Sequence, residues 1–156
     1  MILAIDPGCT ESGYCMIDEK TFKPLAYGKI LNEKLLDQLK TLKIDTLVIE
    51  MIASYGMPVG AEVFETCVWI GRFLERSPTN NIHRIKRLEV KMNVCHSARA
   101  NDATIKHALI DRFAYNVRNF GKGTKKDPGF FYKFRADIWA AYAVGITYLD
   151  RENGNG

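Results

Sequence analysis

Two kinds of hydrophobic pattern alternate along the chain. Ile2-Leu3-Ala4-Ile5 and Thr46-Leu47-Val48-Ile49 are short apolar runs with no polar face, as in strands buried on both sides. Each run ends on an acid, Asp6 and Glu50. Pro7-Gly8 turns the chain after the first run, and residues 13–18 return as a second strand, so the chain opens on a hairpin. Residues 25–30 read as a third strand and 81–85 as a fifth. Elsewhere the period lengthens. Asn32 is placed to cap a helix over 33–43, in which Leu35, Leu36, Leu39 and Leu42 recur at helical spacing. Further helices are predicted over 61–76, from a cap at Asn101 or Asp102 to about Val117, and over 136–149. Residues 51–60, with two glycines and a proline, form a loop.

Three strands, a helix and a strand returning into the sheet predict a mixed α/β fold, a five-stranded sheet flanked by helices. One domain over 1–150 accounts for the pattern, with 151–156 as a disordered tail. Helix 61–76 has an apolar surface wider than one sheet face covers, including Val63, Phe64, Cys67, Val68, Ile70, Phe73 and Leu74. Part of it is therefore expected to pack on a second copy of the chain.

Composition narrows the class. The 156 residues are 47% hydrophobic and 26% charged, enough for a sizeable core. No apolar run approaches the roughly 20 residues of a membrane span, and the first run is too short and unflanked by basic residues for a signal peptide. Cys9, Cys15, Cys67 and Cys95 show no C-x-x-C spacing, so reduced thiols in a cytoplasmic protein are expected. The net charge of +4 conceals a strong asymmetry. Residues 72–135 hold 15 Lys/Arg against 5 Asp/Glu, whereas residues 1–71 hold 6 against 10. A basic middle between acidic ends suggests a surface for phosphate, hence nucleic acid. Within it, residues 118–135 combine Lys122, Lys125, Lys126, Lys133 and Arg135 with Phe130, Phe131 and Tyr132. That composition predicts a flexible loop that grips backbone phosphates and stacks on unpaired bases.

The candidate chemistry lies in acids at element ends. Asp6 has two readings: a cap for the turn after it, or a carboxylate held for function at the end of a buried strand. Glu50 and Asp137, the latter in the first turn of the last helix, favour the second reading, because two buried strands of one sheet bring their ends together. Converging carboxylates need cations among them, and oxygen donors without His or Cys point to Mg²⁺ or Mn²⁺. Two such ions about 4 Å apart hold the attacking water and the leaving oxygen in phosphodiester hydrolysis.

Ile5-Asp6-Pro7-Gly8-Cys9-Thr10-x-x-Gly13, Val48-Ile49-Glu50 and the run from Ala136-Asp137-Ile138-Trp139-Ala140 to Gly145 resemble, in order and spacing, the motifs of RuvC-type Holliday junction resolvases. The likeness covers nearly the whole chain, as in small phage-encoded members. It implies a ribonuclease H-like fold, a homodimer, and Mg²⁺-dependent cutting of four-way DNA, with catalysis at Asp6, Glu50, Asp137 and Lys91. Lys91 matches a family lysine beside the scissile phosphate, or is a surface lysine. Arg87 joins the basic cluster beside it. A second family lysine has no clear counterpart, and Arg99 and Lys106 are the alternatives. Tyr55 is the nearest candidate for the family's aromatic wedge, or is a packed loop residue. The main departure is Ala140, where the family's D-x-x-D motif has its fourth acid. Three acids suffice, or cleavage is impaired and the chain is a non-catalytic protein that binds branched DNA. Actin-like ATPases open with a similar I-D-P-G, but need a second lobe and a second phosphate loop that 156 residues do not accommodate.

Overall fold

A computed structural model describes residues 1–155. Five strands and five helices are formed among them: β1 (Ile2–Asp6), β2 (Glu11–Ile17), β3 (Pro24–Leu31), α1 (Asn32–Leu39), β4 (Thr46–Met51), α2 (Ala61–Arg76), β5 (Ile82–Lys86), α3 (Arg87–Cys95), α4 (Asp102–Phe113) and α5 (Ala136–Glu152). The strands make one mixed sheet in the order β3-β2-β1-β4-β5. β1, β4 and β5 run parallel, and β2 and β3 turn back as antiparallel neighbours. The predicted mixed five-stranded α/β fold is therefore the observed one.

Alternation along the strands divides the core in two. Leu3, Ile5, Leu47 and Ile49 face α1 and α2. Ile2, Ala4, Cys15, Ile17 and Val48 face α5, which is buried along almost its whole length. Gly145 allows that close approach: a Cβ there would lie 2.4 Å from Ile17 Cδ1 and 3.0 Å from Ala4 Cβ. None of the helices among the described residues is long and apolar enough to cross a membrane.

Several local expectations are corrected. Asn32 begins α1 rather than capping it. Its buried side chain accepts from Ser12 Oγ at 2.6 Å and donates to Gly8 O at 2.8 Å, tying the helix start to the first hairpin turn. α1 stops at Leu39, four residues early. α3 is absent from the pattern-based expectation: Leu88, Val90, Met92 and Val94 alternate instead of recurring at helical spacing, and its start is secured by Glu89, which accepts from Lys86 N in a capping box. Asn101, not Asp102, caps α4, reciprocally with Thr104. α4 ends at Phe113, where Ala114 leaves the helical conformation with φ −146°, and Asn116 then turns left-handed.

The largest correction concerns residues 118–135, expected as a loose loop with base-stacking aromatics. Phe131 and Phe134 are fully buried, packed with Phe113, Trp139 and Tyr142 in edge-to-face and tilted contacts. Phe130 stacks on Phe113, with ring centroids 5.3 Å apart. These rings are core and are not free to stack on bases. The chain end differs too: α5 continues to Glu152, and Asn153 N, Gly154 N and Asn155 N donate back to its last carbonyls. Of the predicted disordered tail, only Gly156 lies outside the described residues.

Candidate active site

The sheet register builds the site. Asp6 pairs with Gly13 across β1 and β2, and Gly13 pairs with Lys29 across β2 and β3. On the other side Ile5 pairs with Ile49, so Asp6 and Glu50 follow as the next residues of parallel neighbours, and Glu50 pairs with Ile85. Directly opposed residues share a face. Lys29, Gly13, Asp6 and Glu50 thus form one row across four strands, on the face that α5 covers. Gly13 is the gap in that row. A Cβ there would lie 2.5 Å from Asp137 O and 2.9 Å from Asp137 Cβ, so only glycine lets the first turn of α5 settle onto the sheet. This seats Asp137 between Asp6 and Lys29.

Asp6, Glu50, Asp137 and Ala140 line one open cleft of about 630 Å³, rimmed by Arg87, Lys106, Lys122 and Arg135. A second groove of about 470 Å³ continues from it, sharing Lys122 and Arg135 and adding Lys133 and Tyr27. Lys125 and Lys126 stand on an exposed turn and line neither. Lys91, on α3, is half-buried and outside the cleft wall, but its charge acts on Glu50. Of the two alternatives for a second basic residue, Lys106 lines the cleft, 5.7 Å from the Trp139 ring centre, and Arg99 does not. Tyr55 is 63% exposed in the loop after β4, so it is not a packed loop residue.

The electrostatics are those of acids short of cations. Burial, and then the neighbouring Glu50 and Asp137, push Asp6 from 3.8 up to about 7. Burial also raises Glu50, against the opposing pull of Arg87 and Lys91. Glu50 Oε2 is buried without a hydrogen-bond partner, and its ion-pair partner Arg87 Nη1 stands 4.0 Å away. Arg87 also pairs with Asp102 at the start of α4. Asp137 Oδ2 accepts from Lys29 Nζ at 2.6 Å. The turn after β1 does not use Asp6: Gly8 N donates to Ser12 Oγ, and Asn32 holds Gly8 O.

An orphaned buried carboxylate oxygen and an all-oxygen donor set fit a hard divalent cation. Among the described residues, no three Asp, Glu, His or Cys side chains form a ready-made metal cage. In this arrangement Lys29 and Arg87 partner two of the acids instead.

Comparison with solved structures places this geometry. The chain superposes on Thermus thermophilus RuvC in complex with a Holliday junction substrate, with a TM-score of 0.67 and 11% identity over 99% of this chain and 96% of that one. The fold is that of RuvC. A further structure of T. thermophilus RuvC gives a TM-score of 0.62 at 12% identity, over 99% and 96% of the two chains. Fowlpox virus resolvase in complex with substrate Holliday junction DNA gives 0.59 at 16%, over 97% and 99%. No protein-family model matches the sequence, and no curated protein matches it. The RuvC likeness is therefore carried by backbone, at identities where side-chain roles must be argued from this chain itself. Lys29 and the gap at Gly13 are site features that sequence reasoning does not assign, and Lys106 enters it only as an alternative. Lys29 depends on β3 pairing, which no local pattern reveals.

Proposed function

We propose that the protein is a structure-selective DNA endonuclease that resolves Holliday junctions and related branched DNA by metal-dependent phosphodiester hydrolysis. The observation that carries this reading is the convergence of Asp6, Glu50 and Asp137 in one cleft that opens into a groove lined by Lys122, Lys133 and Arg135. The RuvC fold supports the choice of branched DNA, since two of the similar structures are complexes with Holliday junctions.

Asp6 and Glu50, with Asp137, would hold Mg²⁺ or Mn²⁺, which supplies Lewis-acid activation of water and charge neutralisation when bound. The chain's own residues do the rest. Arg87, Lys122, Lys133 and Arg135 draw the sugar–phosphate backbone along the groove and fix its register, as phosphate contacts do. Lys91, behind Glu50, adds positive potential where charge builds on the phosphorane oxygens. Water gives up a proton as its oxygen adds to phosphorus, the bond to the leaving sugar oxygen breaks, and that oxygen takes up a proton in turn. Tyr55, exposed at the loop beyond Glu50, would pack against unstacked bases at the branch point. Phe64 and Val68 on α2 are 62% and 55% exposed, an apolar surface suited to a two-fold partner. Two sites related by such an axis match the two strands cut in a junction.

A second reading is favoured by Ala140, which lines the cleft without a ligand atom. In that reading the protein binds branched DNA and does not cut it. Cleavage of four-way and plain duplex DNA in Mg²⁺, against binding in EDTA, separates the two. The nuclease reading expects junction-selective cutting that Asp6→Asn abolishes. It also expects Ala140→Asp to raise the rate by at least about a hundredfold, because a carboxylate three residues after Asp137 faces the same cleft and several kcal/mol of transition-state stabilisation are at stake. Binding without cutting in both the parent and Ala140→Asp would establish the second reading.

A further inference from the structure

The row Lys29–Gly13–Asp6–Glu50 crosses four strands, and of its charged members only Lys29 has no part in the nuclease reading. Its ammonium is nonetheless bound into the site. Nζ lies 2.6 Å from Asp137 Oδ2, with Glu11 Oε2 at 3.9 Å as a weaker second partner. Two backbone features enforce the pair. The β2–β3 register sets Lys29 directly across from Gly13, and the missing side chain of Gly13 lets Asp137 rest on that spot. A surface ion pair between two free side chains contributes little and wanders. This pair is itself 42% and 35% exposed, but the strand register and the helix start hold the two backbones side by side.

The other side of Asp137 lacks a partner of the opposite kind. Ala140 stands in the cleft three residues further along α5 and presents only a methyl group. A hard divalent ion gives up hydration water only for anionic oxygens. Beside Asp137 it meets a carboxylate already paired with Lys29, and the one further acid there, Asp6, is shared with Glu50. Beside Asp6 and Glu50 it meets two acids, one with a buried oxygen that has no hydrogen-bond partner.

We infer that Lys29 is a built-in counter-cation for Asp137, so that each site takes one divalent ion, at Asp6 and Glu50, with the lysine supplying the second positive charge. The inference rests on the metal site of the nuclease reading, narrows its ligands from three acids to Asp6 and Glu50, and assigns Lys29 as a positioning residue. A lysine ammonium carries three donors and binds as a compact point charge. After bonding Asp137 it keeps two donors for water or for Glu11 Oε2.

Titration of the full-length chain with Mn²⁺, followed by calorimetry and by the spin resonance of free Mn²⁺, reads the ion count without DNA or cleavage. The parent is expected to bind one Mn²⁺ per chain. Lys29→Met releases Asp137 and is expected to bind two, the second more weakly, whereas Lys29→Arg keeps the count at one. Lys29→Gln serves in place of Lys29→Met if the latter does not fold. Two ions per chain in the parent, or an unchanged single ion when the lysine is neutralised, overturns the inference. Asp6→Asn separates this failure from that of the nuclease reading. If Asp6→Asn binds Mn²⁺ as the parent does, the acidic site itself is wrong. If it loses Mn²⁺ while the parent holds two, only the role of Lys29 falls.

Discussion

Asp6 shows how one residue's neighbours decide its meaning. At the end of an apolar strand, it is equally a turn cap and a functional carboxylate. Ser12 and Asn32 settle the matter by taking over the turn, leaving Asp6 to face Glu50 and Asp137. Its placement has a thermodynamic signature. With its pKa raised from 3.8 to about 7, the folded state binds this proton more tightly than the unfolded state. Its favourable contribution is therefore complete below about pH 4 and is lost as pH rises through 7. Asp6→Asn removes that loss. In EDTA, the variant should be more stable than the parent by about 2–4 kcal/mol at pH 8, with the gap closing as the pH falls towards 4. Urea melts across that range are the measurement, and a gap that stays constant with pH would contradict the burial and charge crowding inferred for Asp6.

At the scale of elements, strand ends and helix starts are legible where burial imposes a period, and illegible where it does not. The runs ending at Asp6 and Glu50 stand out because both faces of a central parallel strand must be apolar. α3 does not, since only Val90 in it is buried. The composition of residues 118–135 misleads for a different reason. Basic residues and aromatics are neighbours in sequence, but the backbone separates them, turning Phe131 and Phe134 inward and Lys122, Lys133 and Arg135 towards the grooves. This division predicts which cations touch DNA. Replacing Lys122, Lys133 and Arg135 by alanine should flatten the log–log salt dependence of junction affinity by up to about 2.7 units, at about 0.9 for each phosphate no longer neutralised. Replacing Lys125 and Lys126, which line neither groove, should flatten it less. Fluorescence anisotropy over a salt series checks this, and equal effects would place the DNA on the exposed turn instead.

At the scale of the whole molecule, α2 divides its apolar surface between two tasks. Trp69, Ile70 and Phe73 enter the core beneath the sheet, while Phe64 and Val68 stay outside it. Exposed side chains of this size at i and i+4 form a contiguous strip along the helix. A two-fold partner would bury that strip and set two clefts at a fixed spacing. Phe64→Glu with Val68→Glu should leave the chain folded, since neither side chain is buried, and convert a dimer to a monomer. Sedimentation at about 50 µM, a concentration suited to an interface of ordinary size, reads the change. Paired nicking of junctions should decline with it. A parent that sediments as a monomer under these conditions would rule out the two-fold assembly.

What the sequence determined by itself was everything that depends on local period and residue chemistry. The two buried strands, their terminal acids, the last helix with Asp137 and Ala140 on one face, and the basic middle of the chain all follow from spacing and charge. The tertiary structure alone decided how these features meet. Register across β1, β2 and β3 brings Lys29 into line with Asp6 although 23 positions separate them in the chain. The missing side chain at Gly13 sets how closely α5 approaches, and aromatic packing determines which part of a basic segment stays exposed along the grooves. The physical reason is common to all three. Strand pairing and close packing join residues far apart along the chain, and no local pattern records the partner.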